Sequence, residues 1–272
     1  DETRAVAQAR AADAEGLPNL FVQDIPPVST LGDDLTITRP QIYFGELSGN
    51  YIFVGSSNDE FDHPAAQQNV YRDYEGPAGI PVGSILFRAA LAVETGDAKV
   101  LLSDDLSPTS RVLLHRRVTE RVALLAPFLR LDQDPYLVVR EDGTLAWILD
   151  AYTETTRFPY SRGHDGVSYM RNSVKVIIDA YDGTVDFYAA DPSDPILATW
   201  SEIFEGLIAP LSEMPSDLRA HLRYPIDIFA TQAAMLATYH MDRPELLYNR
   251  EDQWEVPELR RGAQSEQMEP YY

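Results

Sequence analysis

The chain writes one pattern, IxDAYxxTxxF, twice. "WILDAYTETTRF" runs from Trp147 to Phe158, and "VIIDAYDGTVDF" from Val176 to Phe187. Identities fall at Ile148/Ile177, Asp150/Asp179, Ala151/Ala180, Tyr152/Tyr181, Thr155/Thr184 and Phe158/Phe187. A duplication of this kind constrains the fold, because the same local backbone must be accommodated two times. Strand alternation places Val174, Val176, Ile178 and Ala180 on one face, and Lys175, Ile177, Asp179 and Tyr181 on the other. The first copy sorts the same way. Leu145, Trp147, Leu149 and Ala151 oppose Ala146, Ile148, Asp150 and Tyr152. Each copy thus predicts a strand with an apolar core face and an Asp-Tyr face. Asp142-Gly143 and Asp182-Gly183 sit between apolar runs, a strong short-range hairpin signal. The pattern predicts antiparallel strands near 136–140, 144–151, 155–159, 173–181 and 184–189.

The repeat has two readings. Aspartate near a strand end commonly serves the turn, so the unit can be a duplicated hairpin. Alternatively, both copies build one site. If both turns hold two residues, Tyr152 faces Thr155 and Asp150 faces Arg157. In the second copy Tyr181 faces Thr184 and Asp179 faces Asp186. That last pair is like-charged and unfavourable unless relieved. Arg157 or Lys175 would relieve it, as would a bound cation such as calcium. The ligand or cation candidates are therefore Asp150, Arg157, Asp179 and Asp186, with the identity of any metal left open.

The remainder of the chain reads as turns first and helices later. Residues 1–15 predict a helix ended by Gly16 and Pro18, a connector rather than core. "QIYFGELSGNYIFVG" predicts two strands around Ser48-Gly49-Asn50. A long turn-rich loop follows, up to Gly83. Helices are expected over 84–94, stopped by Gly96, and over 107–125, with Ser107 as N-cap and Pro108 at the first helical position. Three more helical stretches fill 195–240. Strands and helices are segregated rather than alternating, which predicts an α+β fold: an antiparallel β-meander with helices packed on one face. The expected division is a connector over 1–18, a single domain over 19–260 and a truncated tail over 261–272.

Charge narrows the function. The chain of 272 residues carries 43 acidic and 22 basic side chains, a formal net charge of -21. Such a surface repels phosphate backbones and argues against a nucleic-acid partner. The absence of cysteine rules out disulfides, zinc thiolate sites and thiol nucleophiles. No apolar run approaches the roughly 20 residues of a membrane helix. The start "DETRAVAQARAADAEG" and the end "SEQMEPYY" both look like cuts in a longer chain. Against the acidic background, Arg111, Arg116, Arg117 and Arg121 form a basic face on one predicted helix. Arg117 and Arg121 are candidates for docking onto an acidic part of the same protein.

The sequence carries no P-loop, nucleophile elbow, zincin motif or dinucleotide fingerprint. No cofactor is expected and no catalytic residue stands out. The histidines His63, His115, His164, His221 and His240 share no i, i+4 step, so each reads as a surface or packing histidine. "SSNDEFDHP" and "DPSDP" offer oxygen ligands but fit no calcium-loop pattern.

Nine stretches together resemble uncharacterised protein family 0182: "NLFVQDIPP", "RPQIYFGE", "EFDHP", "RVTERVALLAPFL", "DPYLVV", "WILDAYTETTRFPYS", "YMRNSVKVIIDAYDGTVDFY", "HLRYPIDIF" and "ATYHMDRPELLYNREDQW". The resemblance spans about Asn19 to Trp254. It implies the large region that follows the membrane helices of a bacterial integral membrane protein, placed outside the cytoplasm at the cell membrane. Its implied partners are the protein's own membrane helices, together with an envelope protein or a ligand. It implies no catalytic residues. The expectation is a non-catalytic extracytoplasmic module for ligand binding or assembly at the cell envelope. The alternative is a cell-envelope hydrolase whose acidic site is assembled from distant segments.

Overall fold

The computed structural model describes residues 22–31, 35–65, 68–161, 163, 166–261 and 264–268. The expected connector helix over 1–15 lies outside the described residues, as do 262–263 and 269–272 of the expected tail.

The first half is mainly extended. Strands β1 (Val22–Gln23) and β2 (Val28–Ser29) pair antiparallel around a turn that contains the cis Ile25–Pro26 peptide. Strand β3 (Tyr51–Val54) follows, then β4 (Phe61–Ala65) and β5 (Gln68–Tyr71), which form an antiparallel hairpin inside the expected long loop. After β6 (Ile80–Pro81) comes helix α1 (Ile85–Thr95), which ends at Gly96 in the left-handed conformation, as its sequence demands. A short helix α2 (Lys99–Leu102) leads to β7 (Arg111–Leu114).

Two local expectations are corrected here. The predicted hairpin around Gly49 does not form, because β3 pairs with β7 instead, from Tyr51↔Leu114 to Val54↔Arg111. Tyr43 and Phe44 turn their amides to the Ala180 carbonyl, both at 2.9 Å. The predicted helix over 107–125 is also two things. The Thr109 and Ser110 hydroxyls both bond that of Ser107 and close a turn. Val112 and Leu113 then extend, fully buried, in the strand. Only Val118–Leu125 is helical, as α3. Long-range pairing has overridden a good N-cap signal.

The second half holds the six-stranded sheet that contains both copies of the repeat. Strand β8 (Arg130–Leu131) is followed by β9 (Tyr136–Val139), β10 (Leu145–Thr155), β11 (Tyr169–Asp179) and β12 (Val185–Ala189). The order β12-β11-β10-β8, with β9 also on β10, makes β9 to β12 sequential neighbours. Ala180 donates to the Leu145 carbonyl at one end of the β10–β11 pair, and Ser168 to that of Thr155 at the other, so the two run antiparallel. The predicted separate strand over 155–159 is absent: β10 runs straight through to Thr155. Beyond β12 come α4 (Pro195–Ile203), β13 (Ile208–Pro210), α5 (Ser216–Ala220), α6 (Ile226–Tyr239) and α7 (Pro244–Asn249). Strand β13 lies parallel to β12, an exception to the expected antiparallel order. The three helical stretches expected over 195–240 correspond to α4, α5 and α6, with Gly206 at φ 78° after the first and prolines at the N-caps of the other two. A hairpin of β14 (Glu258–Arg261) and β15 (Gln264–Gln267) completes the described elements. The fold class is α+β.

The chain divides into two compact units. The first holds residues up to Arg121, with Leu137–Trp147 and Ile178–Val185; the second holds Val122–Tyr136, Ile148–Ile177 and the chain from Asp186 onward. Within the first, one cluster gathers Val82, Leu91, Val100, Leu106 and Val112, and another gathers Phe44, Val54, Tyr74 and Leu113. Strand β10 is buried on both of its faces from Ile148 to Thr153. The expected contrast between a core face and an open Asp-Tyr face is therefore not seen there.

Candidate functional site

The two copies of the repeat solve two different problems. In the first, Asp150 and Tyr152 lie mid-strand in the second unit. Lys175 donates its Nζ to Asp150 Oδ1, and both side chains are buried. Lys175 also reaches the Arg223 carbonyl at 3.3 Å. Tyr152 donates its hydroxyl to Asp132, which also accepts from the Asp134 and Asp227 amides at 3.0 and 3.1 Å. Burial pushes the Asp150 carboxyl up to about 6; Lys175 opposes the rise, and Asp132 and Asp134 add to it. Burial and the Asp132 bond raise the Tyr152 hydroxyl well above the usual phenol range.

In the second copy, Asp179 and Tyr181 lie in the first unit. Asp179 closes its own turn, accepting from the Tyr181 and Asp182 amides at 2.8 and 2.9 Å. Its own amide donates to the Thr184 carbonyl at 3.0 Å. Tyr181 accepts from the Glu75 amide and packs against Tyr43 and Tyr74, with the Arg39 guanidinium 4.4 Å over its ring.

These contacts correct the expected register. Asp150 pairs with Lys175 rather than Arg157, and Asp179 pairs across its turn with Thr184 rather than Asp186. Tyr152 lies inside a strand, and Tyr181 sits within a four-residue turn. Arg157 and Asp186 are exposed. The like-charge pair that motivated a bound cation does not form. Among the described residues, no three His, Asp or Glu groups come together in a way that could hold a metal ion. Of the basic face, Arg121 is engaged within the first unit, donating to the Gly183 and Leu114 carbonyls at 2.6 and 3.2 Å and lying over the Phe44 ring. Arg116 donates to the Tyr43 carbonyl, and Arg111 to that of Gly76. Arg117 is exposed.

One space that could receive a ligand together with convergent polar groups lies in the first unit. A cavity of about 490 Å³ is walled by Ile25, Pro26, Pro27, Ile37, Pro40 and Leu145. Six polar side chains line it as well, Asp24, Thr38, Gln41, Asp62, His63 and Arg72, and the last four lie together. Asp62 organises them through one oxygen. Its Oδ2 accepts from Gln41 Nε2 at 3.0 Å and lies 3.5 Å from His63 Nδ1 and 3.6 Å from Arg72 Nε. The register of the β4–β5 hairpin shifts between Phe61 and His63, so Asp62 sits at a bulge. A bulge re-aims the side chains around it, and bulges recur beside functional sites. Because Asp62 holds the amide nitrogen of Gln41, the Oε1 atom is left buried without a protein partner. An unpaired buried acceptor costs about 1–3 kcal/mol.

An apolar pocket of this size with a few convergent polar groups is the usual form of a small-molecule site. The Thr38 hydroxyl on its wall donates to the Asp142 carbonyl at 3.0 Å. Sequence reasoning passed over the Asp62 group. His63 reads as a packing histidine and the acidic loop as solvated. The available signal was "DHP" next to turn formers; the bulge that makes it a site was not legible.

Comparison with known proteins fits the motifs. Residues 4–272 match the uncharacterised protein family UPF0182. The UPF0182 protein of Geobacter sulfurreducens is 49% identical over 269 residues, which cover 98% of this chain and 29% of that protein. That of Pelotomaculum thermopropionicum is 47% identical, with the same two coverages. That of Pelobacter propionicus is 50% identical over 259 residues, covering 95% of this chain and 28% of the relative. The chain thus spans under a third of the length of these relatives. No solved structure matches it. With the family motifs spread over the described elements of both units, the chain belongs to the uncharacterised protein family UPF0182.

Proposed function

We propose that this region is a ligand-capturing module of a membrane-tethered envelope protein, with the Asp62 cavity as its binding site. The observation that carries the reading is the convergence of Gln41, His63 and Arg72 on one carboxylate oxygen beside an apolar cavity. The buried carboxylates of the second unit support binding over hydrolysis. Lys175 takes one oxygen of Asp150, and Tyr152 and two backbone amides take both oxygens of Asp132.

Two features support placing this region outside the membrane: the sequence motifs resemble the region beyond the membrane helices, and the chain carries a formal net charge of -21. The tether belongs to the remainder of the longer protein, and exposed Arg117 is the remaining docking candidate toward it.

The test is to purify the full-length protein, release its small molecules and measure whether they raise the melting temperature of this 272-residue region. A co-purifying compound should stabilise wild type but not Asp62→Asn. Equal stabilisation of both proteins, or none, would count against the reading.

A further inference from the structure

We propose that an apolar groove along α6 is the docking site for the chain's own residues 269–272, with the rings of Tyr271 and Tyr272 as the groups that fill it. The groove, of about 610 Å³, lies within the second unit. One face of α6 forms its floor, with Phe229, Ala233 and Ala237, and Trp254, Val256 and Met268 wall it.

Three observations name the occupant. First, α6 needs a cover. Of its 14 residues Asp227 alone is charged, and Ile228 alone is fully buried. A helix that is apolar on most sides is ordinarily enclosed by protein. Yet Phe229 and Trp254, which both line the groove, are 45% and 51% exposed. Second, the chain is delivered to the groove. Trp254 donates its amide to the Ala237 carbonyl at 3.1 Å, which fastens this wall to α6. Met268 donates its amide to the Pro257 carbonyl at 2.8 Å, which holds Met268 in the same wall. Residue 269 therefore starts at the groove. Third, length and chemistry match. From Phe229 to Ala237 a helix rises about 12 Å. Four extended residues span about 13 Å. Pro270 biases Glu269 toward extended backbone, and its own nitrogen needs no hydrogen-bond partner. Tyrosine combines a flat apolar body with a polar tip. The rings suit the alanine floor, and the hydroxyls suit Gln253 and Gln267 in the lining.

The chain contains no cysteine, so introduced pairs report cleanly on proximity. Ala233→Cys/Tyr271→Cys is oxidised under mild conditions beside a control, Ala198→Cys/Tyr271→Cys. Ala198 is an exposed position on α4, outside the groove lining. The groove pair should close within one molecule at least about 10-fold faster than the control pair. In a second measurement, Nile red, a neutral apolar dye, is titrated into the 272-residue chain and into the chain lacking 269–272. The shortened chain should bind it about 10-fold more tightly, because the seated residues no longer compete. Ala233→Trp, which fills the floor, should abolish that gain. Melting curves establish that each variant folds. Cross-links formed only between molecules would make the occupant a second copy of the chain and overturn the proposal. Equal rates for the two pairs, or dye binding unchanged by the deletion, would overturn it as well.

Discussion

Lys175 donates to Asp150 from the adjacent strand, and the two side chains form a buried ion pair. Removing one partner of such a pair leaves an uncompensated buried charge and costs about 3–5 kcal/mol. Lys175→Met should therefore lower stability by about that much in urea denaturation. The double variant Asp150→Leu/Lys175→Met should be less destabilised than either single change. A purely additive double variant would mean that the pair is not coupled.

The same aspartate predicts a pH dependence. Burial holds its carboxyl at about 6, above the 3.8 of the unfolded chain, so the folded state holds the proton more tightly. Its contribution to stability is fully present below about pH 4 and is lost as the pH rises through about 6. Between those limits wild type should lose roughly 2–3 kcal/mol relative to Asp150→Asn. Denaturation curves of both proteins at pH 4, 5, 6 and 7 measure this; a constant difference would contradict it.

Gly183 makes the turn of the second repeat copy. Its φ is 72°, and a Cβ there would meet the Phe44 ring at 2.7 Å. Gly183→Ala should cost about 2–4 kcal/mol, strain and clash together. Gly96 has a similar φ of 69° with nothing within 4 Å. Gly96→Ala should cost only about 1 kcal/mol, and thermal unfolding of both variants measures the difference.

The arginine face separates into two roles. Arg121→Glu loses two carbonyl contacts and the Phe44 ring contact, and should destabilise by about 2–3 kcal/mol. Exposed Arg117→Glu should stay within about 0.5 kcal/mol of wild type. A large loss from Arg117→Glu alone would reverse the assignment.

Local signals carried much of the fold. Gly96 stopped α1 where expected, and Asp142-Gly143 made the β9–β10 turn, with the Arg140 amide on the Thr144 carbonyl at 2.9 Å. The failures came where a distant partner decided the structure. Arg111–Leu114 is a strand because Tyr51–Val54 is beside it. The first "DAY" is mid-strand because Lys175 gives Asp150 a buried counter-charge, so identical letters do not imply an identical turn. The cavity was hidden for a related reason. Gln41, Asp62 and Arg72 are separated in sequence, and the shift at Asp62 leaves no periodic trace.

The central claim is that the Asp62 cavity receives a ligand, and two-dimensional NMR of the isotope-labelled chain tests it most directly. Titration with the small molecules released from the full-length protein should shift the resonances of Gln41, Asp62, His63, Arg72 and Leu145 together, along one saturable curve. Saturable shifts centred on Asp150 and Lys175, or shifts scattered over the surface with no saturation, would contradict the account.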